Sequence, residues 1–182
     1  MATRTNWVDN KNIADKIFLR KEAIKNLKNV KVLDLFAGHN VLWNNIKTDR
    51  YYGIDLEKGK GKNLEADSKK IFDSLDLSQF NVIDVDSFGI DYGLYKKILE
   101  SKNLKKPMVV FFTLITNVMI GLNKSGIELY NLQNLYPKAQ GMFNEKGKVY
   151  FYNLLANHDI KKVIFYEHID HFAKHYGYFM IE

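Results

Sequence analysis

Three short stretches of this chain hold residue types that can do chemistry together. The first, Asp34-Leu35-Phe36-Ala37-Gly38-His39-Asn40, ends an apolar run with a carboxylate and then a glycine, which lets backbone approach a ligand closely. A helix starting after that turn would aim its first amides at a carboxylate or phosphate. The second, Tyr52-Gly53-Ile54-Asp55-Leu56, sets an acid about 20 residues beyond the turn, a separation at which it can accept the hydroxyl pair of a ribose. The third, Asp84-Val85-Asp86-Ser87-Phe88-Gly89, places acids just before an aromatic ring. A carboxylate there can orient an N–H while the ring stacks on a base.

Such residues work only if secondary structure delivers them to one place. From Asp9 to Lys28, Ile13, Ile17, Ile24 and Leu27 recur at helical spacing behind Asp9 or Asn10 as N-cap, predicting an amphipathic leading helix over about 10–28. Val30 to Phe36 reads as a buried strand, and Val41, Leu42 and Ile46 predict a second helix after the turn. Tyr51 to Leu56, Asn81 to Val85 and Met108 to Leu114 read as further strands, with helical potential in Gly93 to Lys102. Alternating strands and helices imply a parallel α/β sheet, in which ligands sit beyond the carboxyl ends of the strands. Lys162 to Glu167 and His175 to Ile181 are too close together for a parallel crossover, so they predict a closing antiparallel hairpin. The pattern is weak over about 117–148, which reads as an irregular insertion whose end, Gly147 to Leu155, returns as a helix.

At 182 residues the chain is expected to form a single domain, 1–182. Hydrophobic residues at 46% and charged residues at 26% describe a folded globular chain rather than a disordered one. Cysteine is absent, which excludes disulfides, thiolate-held metals and any cysteine nucleophile. Lys plus Arg number 27 against 21 acids, a net charge of +6 that permits a polyanionic partner without requiring one. Met108 to Leu122 is interrupted by Thr113, Thr116 and Asn117 and reads as core, so no membrane partner is expected. The first residues lack a secretory pattern, which makes the cytoplasm the default location.

Val32-Leu33-Asp34-Leu35-Phe36-Ala37-Gly38 resembles the first motif of class I S-adenosylmethionine-dependent methyltransferases, and Tyr52-Gly53-Ile54-Asp55 resembles their second. Asn81 to Gly89 is similar to their fourth-strand motif, and its Asp-x-Asp-Ser-Phe-Gly wording to the Asp-x-Asp-Pro-Phe-Gly of tRNA guanine-N2 dimethyltransferases. Ser87 stands in place of that proline, and Asn40 or Val41 in place of the family's usual last loop glycine. The resemblance implies a Rossmann-like methyltransferase fold, a mostly parallel central sheet closed by the C-terminal antiparallel hairpin. It implies S-adenosyl-L-methionine as cofactor, held by Asp34, Phe36, Gly38, His39, Asp55, Leu56, Asp67, Ser68 and Asp84, with Asp67 toward the adenine amino group. Asp86 and Phe88 would then be the catalytic pair, acting on an exocyclic amino group of a nucleic-acid base, RNA before DNA. A small-molecule acceptor, or an inactive cofactor-binding module serving a protein partner, are the alternatives.

Other groupings carry less. Gly59-Lys60-Gly61-Lys62 lacks the Ser or Thr and the glycine spacing of a phosphate loop, although Lys58, Lys60 and Lys62 remain candidates for nucleic-acid phosphates. His168, Asp170, His171 and His175 straddle a strand, turn and strand, which scatters them, so no metal is expected.

Overall fold

The computed structural model describes residues 12–56, 63–87, 92–115, 151–156, 158, 160–171 and 174–182. Seven strands form one sheet: β1 (Lys31–Asp34), β2 (Arg50–Asp55), β3 (Leu64–Glu65), β4 (Val82–Val85), β5 (Met108–Ile115), β6 (Ile160–His171) and β7 (Lys174–Ile181). Their order is β3-β2-β1-β4-β5-β7-β6. The first five run parallel, and β7 lies antiparallel between β5 and β6. The terminal hairpin expected from sequence is therefore present, and it extends the sheet rather than folding across it. The predicted insertion lies outside the described residues except at its end, where 151–156 is helical.

Both faces of the sheet are covered, which is why its central strands read as continuous apolar runs. Leu33, Ile83, Val85, Val110, Phe112 and Phe179 pack on one face against Leu94, Tyr95 and Ile98 of α3 (Tyr92–Glu100) and against Phe151 and Leu155. On the other face Val32, Val82, Val109 and Phe111 meet Leu19, Ala23 and Ile24 of α1 (Ile13–Ile24). The Asn81 side chain bonds Lys31 N–H at 2.8 Å and the carbonyls of Lys28 and Asn29 at 3.3 and 3.2 Å. It ties the connection between α1 and β1 to the start of β4. The helix then runs antiparallel to the strands, so its N-terminal half reaches the carboxyl ends where the candidate residues stand.

One expected element is missing. Val41, Leu42 and Ile46 do not continue a helix; the stretch between β1 and β2 contains a single 3-10 turn at Trp43–Asn45. Residues 35–49 meet the length of about a dozen that a crossover needs, so length is not the cause; Asn44 and Asn45 are poor helix formers. Trp43 turns inward instead and is 3% exposed. The first turn therefore has no long helix behind it to supply an anion-binding N-terminus.

Gly177 faces the ring of Phe112. A Cβ there would stand 2.1 Å from the carbonyl oxygen of Ile164 and 2.6 Å from Phe112 Cζ. Gly177→Ala should therefore lower unfolding free energy by about 1–3 kcal/mol, read from the urea midpoint; an unchanged midpoint would mean that the strand gives way without cost.

Candidate functional site

The ends of β1 and β2 are locked together by the chain itself. Asp55 Oδ2 accepts the Gly38 N–H at 2.8 Å, and the Ala37 N–H donates to the Ile54 carbonyl at 3.0 Å. Gly38 has φ +49, and a Cβ on it would meet nothing within 4 Å, so this left-handed turn presents bare backbone to open space. Asn40 has φ +55. That conformation is one asparagine tolerates better than most residues, which gives a physical reason for asparagine in a loop where a glycine is usual. Across the turn, Gly53 leaves room for Ala37: a Cβ there would lie 2.8 Å from Ala37 Cβ.

Around this crossing the named residues differ in what they have left to offer. His39 and Leu56 are exposed, Leu56 at 68%, while Phe36 is half-buried against the core. Asp67 caps α2 (Ser68–Ile71), accepting the Lys69 N–H at 3.1 Å. The buried Ser68 hydroxyl donates to the Leu35 carbonyl and braces that helix against the end of β1. Phe88, Lys58, Lys60 and Lys62 lie outside the described residues.

Asp34, Asp84 and Asp86 form a second group on the face covered by α1. Asp34 accepts the Phe36 N–H and the Tyr51 hydroxyl, each at 3.1 Å. Asp84, 1% exposed, takes Arg20 Nε and Trp43 Nε1 on Oδ2, both at 2.7 Å. Asp86 stands one side chain nearer solvent. Its Oδ2 accepts Lys16 Nζ at 2.7 Å and an Arg20 nitrogen at 3.3 Å, while Oδ1 accepts the Thr113 hydroxyl at 2.9 Å. Lys16 Nζ also lies 4.1 Å from the centre of the Tyr176 ring.

Two cations thus face three carboxylates, and the surplus appears at Asp34. Burial, then the neighbouring Asp84 charge, raises its carboxyl well above the usual range, against the opposing pull of the Phe36 N–H and Arg20. Burial also acts against the charge of Asp86, yet Lys16 and Arg20 hold it below the usual range. Burial opposes the Arg20 charge too, and Asp84 and Asp86 more than offset it, raising its pKa. Tyr51 is pushed up by burial and then by Asp34.

The end of β4 has a structural cause. Pairing of β4 with β5 ends at Val85 and Phe112. Past that point the Tyr95 hydroxyl accepts the Thr113 N–H at 3.1 Å and donates to the Thr113 carbonyl at 3.0 Å. Tyr95 satisfies the backbone that a longer β4 would have paired, leaving Asp86 at the tip.

The sheet has the order β3-β2-β1-β4-β5-β7-β6, with a turn and an acid where β1 and β2 end. The fold is Rossmann-like, an α/β sheet that is mostly parallel. The chain matches no known family model and no curated protein. Among solved structures it is similar to a possible exported protein from Bordetella parapertussis, at 12% identity with a TM-score of 0.57, over 92% of this chain and 67% of that one. It is also similar to a candidate rRNA methylase from Clostridium thermocellum, at 12% identity with a TM-score of 0.50, over 92% of this chain and 96% of that one. One fold carries both descriptions, so the residues at the site must carry the function. No helix among the described residues is long and apolar enough to cross a membrane, and these residues contain no cluster of His, Cys, Asp or Glu able to hold a metal.

Sequence reasoning missed Lys16, Arg20, Tyr95 and Thr113. The available signal was Lys16 and Arg20 at i and i+4, one helix face bearing two cations, in a chain with three strands ending in acids. Arg20 is buried at 2% exposure. Arg20→Met would leave the Asp84 charge unpaired and should cost about 3–5 kcal/mol of stability, measured by denaturant unfolding, with Arg20→Lys only a partial rescue because an ammonium lacks the fork.

Asp34 yields a prediction of opposite kind. Its folded pKa lies above its unfolded one, so stability is greatest below the unfolded value and is lost as pH rises through the folded value. Asp34→Asn removes that loss. The variant should match wild type near about pH 3 and exceed it near about pH 8, as read from paired denaturation curves; a variant that loses ground on raising pH would show that Asp34 works as a carboxylate.

Proposed function

We propose that this chain is an S-adenosylmethionine-dependent methyltransferase that acts on an exocyclic amino group of a nucleic-acid base, RNA before DNA. The observation that carries the reading is the crossing of Asp55 and Gly38, a 2.8 Å hydrogen bond that fixes an acid beside bare left-handed backbone facing open space. The donor set suits the cofactor: Asp55 for the ribose hydroxyls, the Gly38 turn with His39 and Phe36 for the amino-acid end, exposed Leu56 with Asp67 beside the adenine, and the buried Asp34 and Ser68 bracing these from behind. Asp84 belongs to this set by supporting the β4 tip from below rather than by direct contact, since it is buried.

When bound, S-adenosylmethionine supplies an electrophilic methyl group on a sulfonium. The residues of the chain have to bring a weak nucleophile to it. An amine on an aromatic ring has its lone pair delocalised into the ring, so orientation matters more than basicity. Asp86 accepts one N–H and aims the lone pair, and Phe88 stacks on the ring. The net charge of +6 supports a polyanionic acceptor, with Lys58, Lys60 and Lys62 as phosphate contacts.

Calorimetric titration with S-adenosylmethionine tests the first half. Wild type should bind, and Asp55→Ala should weaken binding by about 1.5–3 kcal/mol, part of that through release of the Gly38 turn. Labelled-methyl transfer to RNA, DNA and free nucleosides tests the second half, and RNA binding should fall steeply with added salt. Equal affinity in Asp55→Ala would remove the cofactor assignment. Transfer to nucleosides alone would favour a small-molecule acceptor, and cofactor binding without transfer to any acceptor would favour a module serving a protein partner.

A further inference from the structure

The charge cluster on α1 has a role beyond holding the helix to the sheet. An ionised carboxylate offers about four acceptor positions. Among the described residues, Asp86 has three occupied: Lys16 and Arg20 on Oδ2 and Thr113 on Oδ1. The remaining position is on Oδ1. Each partner is itself fixed. Lys16 leans on the Tyr176 ring, Arg20 is buried between Asp84 and Asp86, and Tyr95 bonds the Thr113 backbone on both its polar atoms.

We infer that Lys16 and Thr113 are positioning residues for the methyl-transfer step, turning Asp86 into a one-position acceptor that takes a neutral N–H in preference to an ammonium. The inference rests on the function proposed above. Its logic is geometric: a carboxylate held at three points cannot rotate about χ2, so its last lone pair keeps one direction. Its electrostatic side follows from charge. Lys16 and Arg20 already match the carboxylates at the tip, and an incoming ammonium would meet two cations in place of an unpaired anion. The charged groups facing Asp86 are Lys16 and Arg20 from α1 and Asp84 from its own strand, with the neutral Thr113 from β5 and Tyr176 from β7 beside Lys16.

The test compares Lys16→Met, Lys16→Arg, Thr113→Val and Thr113→Ser with wild type. Lys16→Met and Thr113→Val should reduce kcat by about 10²-fold while S-adenosylmethionine affinity holds, and Lys16→Arg and Thr113→Ser should recover most of it. In Lys16→Met the acid limb of the kcat profile should move to higher pH, because Asp86 loses a cation that holds it ionised. RNA should be methylated and a lysine-rich peptide should not. Unchanged kcat in both Lys16→Met and Thr113→Val, or transfer to the peptide at a rate equal to that on RNA, would overturn the inference.

Carboxyl NMR titration of Asp86 reads the clamp without activity. In wild type it should titrate below the usual carboxylate range and shift upward in Lys16→Met; a titration unmoved by the substitution overturns the positioning role. A wild-type protein that transfers no methyl group would sink the proposed function instead, and the titration distinguishes the two failures. Should Lys16→Met not fold, the Thr113 pair and the wild-type titration carry the test.

Discussion

Arg20 is the contact on which both the fold and the site depend. Its guanidinium reaches two carboxylates on successive outward positions of one strand, 2.7 Å from Asp84 and 3.3 Å from Asp86. Without it the middle of the sheet would hold a buried anion on Asp84, which hydrophobic packing cannot offset. With it α1 has a fixed register: Leu19, Ala23 and Ile24 seat in the apolar patch while the cations face the acids. The guanidinium also lies 5.1 Å from the Phe111 ring and 5.8 Å from that of Trp43, so aromatic faces line the pocket where the charge is desolvated.

This constraint explains why the chain between β1 and β2 takes the path it does. Trp43 donates its indole N–H to the same Asp84 oxygen that Arg20 occupies. A helix through Val41 to Ile46 would have to give up that bond or turn it outward. The short turn keeps Trp43 against Phe111, with ring centres 5.9 Å apart, and leaves the loop above it free to bend through Gly38 and Asn40. The same polar layer therefore shapes both the charged pocket and the bare turn beside it.

Much of the sheet was legible because its strands announce themselves by local pattern. Met108 to Phe112 is apolar on both faces, as a central parallel strand must be, Val82 to Val85 is so except at Asp84, and the spacing of the tail suits a hairpin. The place of Asp55 was legible because the run before it marks a strand that ends there. The cations were not, since nothing local says which face of an amphipathic helix meets a carboxylate from a strand more than sixty positions away. Ile13, Ile17, Ile24 and Leu27 give a reasonable apolar stripe, yet the side that meets the sheet includes Leu19, Arg20 and Ala23. The helix after the turn failed for the converse reason: its periodicity was genuine but its only indole was claimed by a buried acid.

The polar layer grades along β4. Val82 is in apolar packing, Asp84 is fully buried and paired, and Asp86 is partly open with its side chain 13% exposed. Alternation along a strand puts these three on one face, so the strand climbs from core to crevice in steps of two residues. Each step outward lowers the desolvation cost of a charge and raises its access to a ligand. A carboxylate at the inner position can only be structural, and one beyond the outer position would be solvated and free to rotate. Asp86 stands at the level where burial is enough to fix its geometry and exposure is enough to leave one lone pair unclaimed among the described residues, and α1 supplies the cations that keep it charged there.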